Sequence, residues 1–246
     1  METGNSINTN SYSNCGISVF FTKNGYSFMV YDLNEPDVFL VREKHAFEKS
    51  SSFVNAVENL INSNDLLKQD FAEMNVVIAV DRYTFVPNGL FPTNLANDYF
   101  KFNHGDLADG EGVFFTLFDE ADLYVVFSYD KLFVDLIENM LPNAQIVPDV
   151  SWRLSKVYDK GKKTVNGVYA EISDNILNVI VFKSAKFMMA NTYKFVSIED
   201  AEYLLLKAYN VFEFDNETVP LFINSSVELP HVKHFVKNIT VENENN

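Results

Sequence analysis

Two hydrophobic spacings alternate along this chain. Short runs rich in β-branched and aromatic residues have a period near two, as strands do, and longer stretches repeat apolar residues every three to four positions, as helices do. Ile17 to Thr22 and Tyr26 to Asp32 are strands of the first kind. They join at Lys23-Asn24-Gly25, where Asn-Gly supplies the positive φ angles of a type I′ hairpin turn. A third strand, Val38 to Arg42, follows the breaker Asn34-Glu35-Pro36. Ser50, Ser51 and Ser52 offer an N-cap to a helix in which Phe53, Val57, Leu60 and Ile61 make one buried stripe. Val76 to Val80 is a continuous apolar run, the mark of a strand covered on both faces.

The same order then returns. Val165 to Ile172 and Ile176 to Phe182 are strands joined at Ser173-Asp174-Asn175, and Ala185 to Phe195 is a third. Ser197-Ile198-Glu199-Asp200 caps a helix with Ala201, Leu204, Leu205, Ala208 and Val211 on one side, and Val219 to Ile223 is again a buried strand. Matching points lie roughly 143 to 151 residues apart, so element order repeats while sequence does not. The first copy carries an extension: a helix from Thr93 toward Phe102, a strand Leu123 to Phe127, and a helix Asp130 to Leu141 with Phe133, Leu136, Ile137 and Met140 as its stripe.

Antiparallel strands followed by helix-linked parallel strands imply an α/β architecture with a mixed sheet and helices on its faces. Two such units predict a cleft between them. The expected organisation is a flexible arm at 1–14, a first lobe with its extension at 15–147, a connecting helix (Pro148 to Tyr158) and second lobe at 148–240, and a flexible tail at 241–246.

Composition narrows the function classes. Net charge is −15, from 19 Lys plus Arg against 34 Asp plus Glu, which argues against a nucleic-acid backbone or an anionic membrane as partner. No run approaches the ~20 apolar residues of a membrane span, and Met1-Glu2-Thr3-Gly4 is not the start of a secretory signal. The lone Cys15 excludes an internal disulfide, and Ser13-Asn14-Cys15-Gly16 carries no base to activate it. These features predict a cytoplasmic protein.

Local clusters offer little chemistry. His231 and His234 sit three apart on a short helix, a spacing compatible with a metal pair, but no cysteine or third ligand is near. Two solvent-facing histidines beside a buried Val232 and Phe235 explain them, and no metal site is expected. Asp106, Asp109, Glu111, Asp119, Glu120 and Asp122 read as a solvated acidic loop, because their spacing is not that of a calcium loop. The interleaved Phe114, Phe115 and Phe118 leave a protein-binding strand as the alternative. His104 is a general-base candidate by residue type, but no nucleophile pairs with it in the sequence, so it reads as a helix-ending residue. Trp152, beside Arg153, reads as packing.

The duplicated order resembles the actin-like ATPase superfamily, a duplicated ribonuclease H-like fold that includes PilM and FtsA. More closely, the chain resembles a bacterial family of unknown function assigned to that fold. The resemblance lies in Asn24-Gly25-Tyr26-Ser27-Phe28, Phe85-Val86-Pro87-Asn88-Gly89-Leu90-Phe91 and Tyr99-Phe100-Lys101-Phe102-Asn103-His104, with Asn191-Thr192-Tyr193 and Ser197-Ile198-Glu199-Asp200 in the second half. It covers roughly residues 16 to 240. It implies two lobes that grip a nucleotide between two hairpin loops, where glycine backbone approaches phosphate and a carboxylate holds magnesium. The residual cleft positions are then Lys23, Asn24, Gly25 and Ser27 in the first loop, Glu171, Asp174 and Asn175 in the second, and Asn224 and Ser225 at the adenosine turn.

Against that pattern, no acid ends the first strand, the second loop has no glycine, and Asn224-Ser225-Ser226 stands where paired glycines belong. Together these departures predict a degenerate nucleotide site with no cofactor, in a non-catalytic scaffold for a protein or peptide. The alternative is a divergent ATPase or small-molecule kinase that uses ATP and magnesium through Lys23, Glu171 and Asp174. A filament-forming role is weaker still, since polymerisation in that superfamily depends on bound nucleotide.

Overall fold

The two strands of the first hairpin pair as their sequence predicts. In the computed structural model, which describes residues 12–22, 25–35, 39–47, 52–173, 175–225 and 227–242, β1 (Cys15–Thr22) pairs antiparallel with β2 (Gly25–Asp32). Lys23, Asn24, Asp174, Val38, Ser50 and Ser51 lie outside the described residues. The chain divides into two units, Met1–Trp152 and Arg153–Asn246.

In the first unit, β3 (Phe39–Ala46) pairs antiparallel with β2, while β4 (Glu73–Ile78) and β8 (Gln145–Pro148) join β1 in parallel, giving the order β3-β2-β1-β4-β8. Helix α1 (Phe53–Ser63) starts at Ser52, whose side chain accepts from the Asn55 N–H, and buries Val57, Leu60 and Ile61. Its Phe53 meets Phe21 of β1 and Phe133 of α3 (Lys131–Met140) at ring separations of 6.5 and 5.4 Å, an aromatic knot that fixes helices to sheet. Asp130 caps α3 by accepting from the Phe133 N–H. Cys15, the first residue of the expected lobe, is buried at the start of β1.

Between β4 and β8 the chain inserts β5 (Tyr83–Pro87), α2 (Ala96–His104), β6 (Glu111–Phe118) and β7 (Leu123–Asp130) ahead of α3. The three strands form an antiparallel sheet in the order β5-β7-β6, packed through Val86, Phe91, Phe100 and Val126. The solvated-loop reading of residues 106–122 is therefore corrected: the flanking acids end a strand whose alternating Val113 and Phe115 pack toward α2's cluster. His104 ends α2, with Nε2 2.9 Å from the Tyr83 carbonyl, and Trp152 packs edge-on to Phe20.

Helix α4 (Asp149–Thr164) is longer than the Pro148 to Tyr158 expectation and carries the chain into the second unit. There β9 (Gly167–Ser173), β10 (Ile176–Lys183), β11 (Lys186–Lys194), β12 (Leu221–Ser225) and β13 (Ile239–Val241) repeat the first sheet's plan in the order β11-β10-β9-β12-β13. β11 begins after Ala185 because Ser184 and Ala185, at φ 54° and 60°, make the hairpin turn. β13 takes Val241 into the sheet, although the pattern assigned that residue to the tail. Helix α5 (Ile198–Val211) opens with a capping box between Ser197 and Asp200 and buries Ala201, Leu205 and Ala208 against β9 and β10. The duplicated sheet order makes each unit a ribonuclease H-like α/β half, as the sequence pattern implies. Among the described residues, no helix is long and apolar enough to cross a membrane.

Candidate functional site

Parallel strands in α/β sheets present ligands at their carboxyl ends. In the first unit that end carries Gly25, whose lack of a side chain has a local cause. A Cβ there would lie 2.1 Å from the His45 carbonyl oxygen of β3, so glycine is what lets the two strands close. Thr22 Oγ1 donates to the Gly25 carbonyl at 3.1 Å, and Ser27 is half-buried opposite Phe20.

The carboxyl ends of β4 and β8 supply acids that sequence reasoning missed. Asp149 accepts from the Val80 N–H at 3.1 Å. Burial, followed by the charges of Asp149, Asp130 and Asp81, holds the Tyr129 phenol far above its ordinary pKa. The available signal was an aspartate directly after each apolar run, at Val80-Asp81 and Pro148-Asp149. Among the described residues no three His, Cys, Asp or Glu side chains are grouped to hold a metal ion.

In the second unit the structure brings Glu171, Asn175, Asn224 and Ser225 to one end of the sheet. Glu171 on β9 is the register partner of Asn224 on β12, and Ser225 that of Ile172. Asn175 turns the hairpin at φ 63°, with its carbonyl accepting from the Phe195 N–H. Ser225 Oγ donates to the Val227 carbonyl at 2.7 Å and accepts from the Val227 N–H at 3.1 Å, so its hydroxyl closes its own turn.

Beside these residues lies a hollow of about 540 Å³ lined by Ile172, Phe195, Val196, Ile198 and Val227, with Asn175 and Glu228 as its polar members. Val196 is 94% exposed, a large apolar side chain held in solvent at the rim. A second cavity of about 220 Å³ adjoins it, bounded by β12, β13 and α6 (Val232–Phe235) and sharing Val227 and Glu228. Sequence reasoning missed Glu228 and both hollows.

The wall that carries Val227 and Glu228 is fastened to α5 by a buried acid. Glu202, 2% exposed, accepts from the His231 N–H at 2.7 Å and the Val232 N–H at 3.1 Å, and its other oxygen lies 2.6 Å from His231 Nδ1. Both histidines face solvent as expected, and His231 also serves as a tether through its backbone N–H and ring. The expectation that Phe235 is buried beside them is corrected: Val232 and Val236, four residues apart on the inward face, take the core positions and Phe235 is 55% exposed.

The family model described as Protein of unknown function (DUF3822) matches residues 4–238. A search of curated proteins finds no match. Among solved structures, a Bacteroides thetaiotaomicron protein of actin-like ATPase fold and unknown function is similar at 20% identity, covering 97% of this chain and 94% of that one, with a TM-score of 0.84. The PilM-PilN type IV pilus biogenesis complex is similar at 9% identity, over 94% of this chain and 88% of that one, with a TM-score of 0.55. These likenesses show the actin-like ATPase fold.

Proposed function

The chain belongs to the DUF3822 family of unknown function, and we propose that it is a non-catalytic cytoplasmic binding protein that holds a protein or peptide partner on its second unit. One observation carries the proposal. The hollow at the carboxyl end of β9 has five apolar side chains in its wall, and none of the described residues lining it is basic. A triphosphate placed there would meet Glu228 with no compensating cation, whereas an apolar side chain gains about 25 cal/mol for each Å² it removes from water.

Two further features agree. Gly25 and Ser225 are engaged within the chain itself, which leaves fewer free backbone and hydroxyl groups for phosphate at the residual positions Lys23, Asn24, Gly25, Ser27, Glu171, Asp174, Asn175, Asn224 and Ser225. PilM, a protein of related fold, is known in complex with PilN, so this architecture is compatible with a protein partner. The second reading, an ATP- and magnesium-dependent ATPase or kinase, draws on Glu171 beside Asn224 in the second unit.

Isothermal titration of the full chain with magnesium-ATP separates the two. The expected result is no binding at millimolar nucleotide and no phosphate release. Micromolar binding with measurable hydrolysis overturns the proposal.

A further inference from the structure

We infer that the partner is an extended peptide with apolar residues on both sides of a basic one, the apolar side chains seated in the two adjoining hollows of the second unit and the cation on Glu228. The inference rests on the peptide-binding reading above and adds the chemistry of the occupant. Each hollow, at about 540 and 220 Å³, exceeds the ~150 Å³ that accepts a benzene-sized group, so each has room for one branched or aromatic side chain. The smaller is lined by Leu221, Ile223, Leu229, Val232, Ile239 and Val241.

Val227 and Glu228 belong to both walls, so a ligand that fills both hollows must cross them. Glu228 is exposed and is the one acid among the described residues lining either hollow, while Lys233 lines the smaller alone. Charge complementarity at the crossing point therefore selects a cation, and the net charge of −15 draws one in from a distance. The two adjoining walls favour an extended ligand, whose alternate side chains can enter one hollow each. Residues two apart on an extended chain lie on one side about 7 Å from each other, and a lysine stem between them is long and flexible enough to bend back to the acid.

The test is an NMR titration of the full chain, methyl-labelled at Ile and Val, with two synthetic peptides, acetyl-Gly-Leu-Lys-Leu-Gly-amide and its Leu-Glu-Leu counterpart. The Lys peptide is expected to shift the methyls of Ile198, Val227 and Ile239 and to bind about tenfold more tightly than the Glu peptide. Glu228→Lys, a surface change that leaves the core intact, is expected to reverse that order. Equal binding of the two peptides overturns the inference and leaves the peptide-binding reading standing. No methyl shift with either peptide also overturns it. If magnesium-ATP then shifts the same methyls, the peptide-binding reading falls as well.

Discussion

Replacing Glu202 by alanine is the sharpest probe of how the second unit holds its wall. The side chain is buried on α5 and serves three donors: the backbone N–H groups of His231 and Val232 and the His231 ring. Val232 is itself buried, so its N–H has no water to replace the lost oxygen. An unsatisfied buried N–H costs about 1–3 kcal/mol. The ring contact adds less than about 1 kcal/mol, because the His231 side chain is 59% exposed and water takes over much of its bonding. The expected loss for Glu202→Ala is therefore about 2–4 kcal/mol, concentrated in the turn of α6. Glu202→Gln keeps an oxygen for both N–H groups but gives up the charge and turns an NH2 group toward His231 Nδ1, so about 1 kcal/mol is expected. Amide hydrogen exchange reads this unit separately from the other, and the Val232 amide should lose protection by a factor of roughly thirty or more in Glu202→Ala. A Val232 amide protected as in the native chain, with urea stability within about 0.5 kcal/mol, would refute the account of this carboxylate as the fastening.

Three other outcomes are expected. Gly161→Ala should destabilise the chain by about 1–2 kcal/mol in urea unfolding: alanine is the better helix former by about 1 kcal/mol, but its Cβ would sit 2.4 Å from ring carbons of the fully buried Phe182. A gain in stability would contradict that close packing. Val165 adopts φ 69° after α4, a left-handed conformation costly for a β-branched side chain, so Val165→Gly should raise stability by about 0.5–1 kcal/mol; a loss would show that its half-exposed side chain matters more than its backbone. Asp200 accepts from the Ser197 and Val196 N–H groups, which hold its carboxyl below the usual aspartate range. A lowered folded-state value means that its stabilisation is complete above the ordinary aspartate pKa and fades as pH falls through the folded value. The gap in urea midpoint between the native chain and Asp200→Asn should therefore be full at pH 7 and narrow steadily once pH falls below the ordinary aspartate range, and a gap unchanged by pH would count against the capping box.

Sequence pattern reached the duplicated sheet because its strongest signals are local. Asn24-Gly25 marks the hairpin, Ser197 with Asp200 marks the start of α5, and Phe53, Val57, Leu60 and Ile61 mark the face of α1, each within a few residues. β8 and β13, at four and three residues, are too short for any period to show, and only pairing with β4 and β12 makes them strands. β6 was masked by charge: acids on both flanks outweighed its alternation, which has meaning only once β7 lies beside it. Glu202 was invisible for another reason. A glutamate within a helix normally faces water, and its partners arrive from a turn distant in sequence. Residue types at the candidate site were legible, but whether a glycine or serine is already engaged by its own chain is a question of tertiary distance.

That distinction bears directly on the proposed loss of nucleotide chemistry. A glycine conserves room for a phosphate only if the space beside its Cα is open, and beside Gly25 the His45 carbonyl fills it. A serine hydroxyl serves a phosphate only if its one donor proton is free, and Ser225 spends that proton on the Val227 carbonyl. Recruiting either group to a triphosphate would break an internal bond to form an external one, for little net gain. Apolar surface carries no such debt. Val196, Val227 and the hollow beside them are exposed to water in the free protein, and covering them requires no bond to be surrendered. On the proposed reading, the preserved framework favours whichever ligand can use what the chain leaves unsatisfied. In the second unit that is an apolar surface with one carboxylate at its centre.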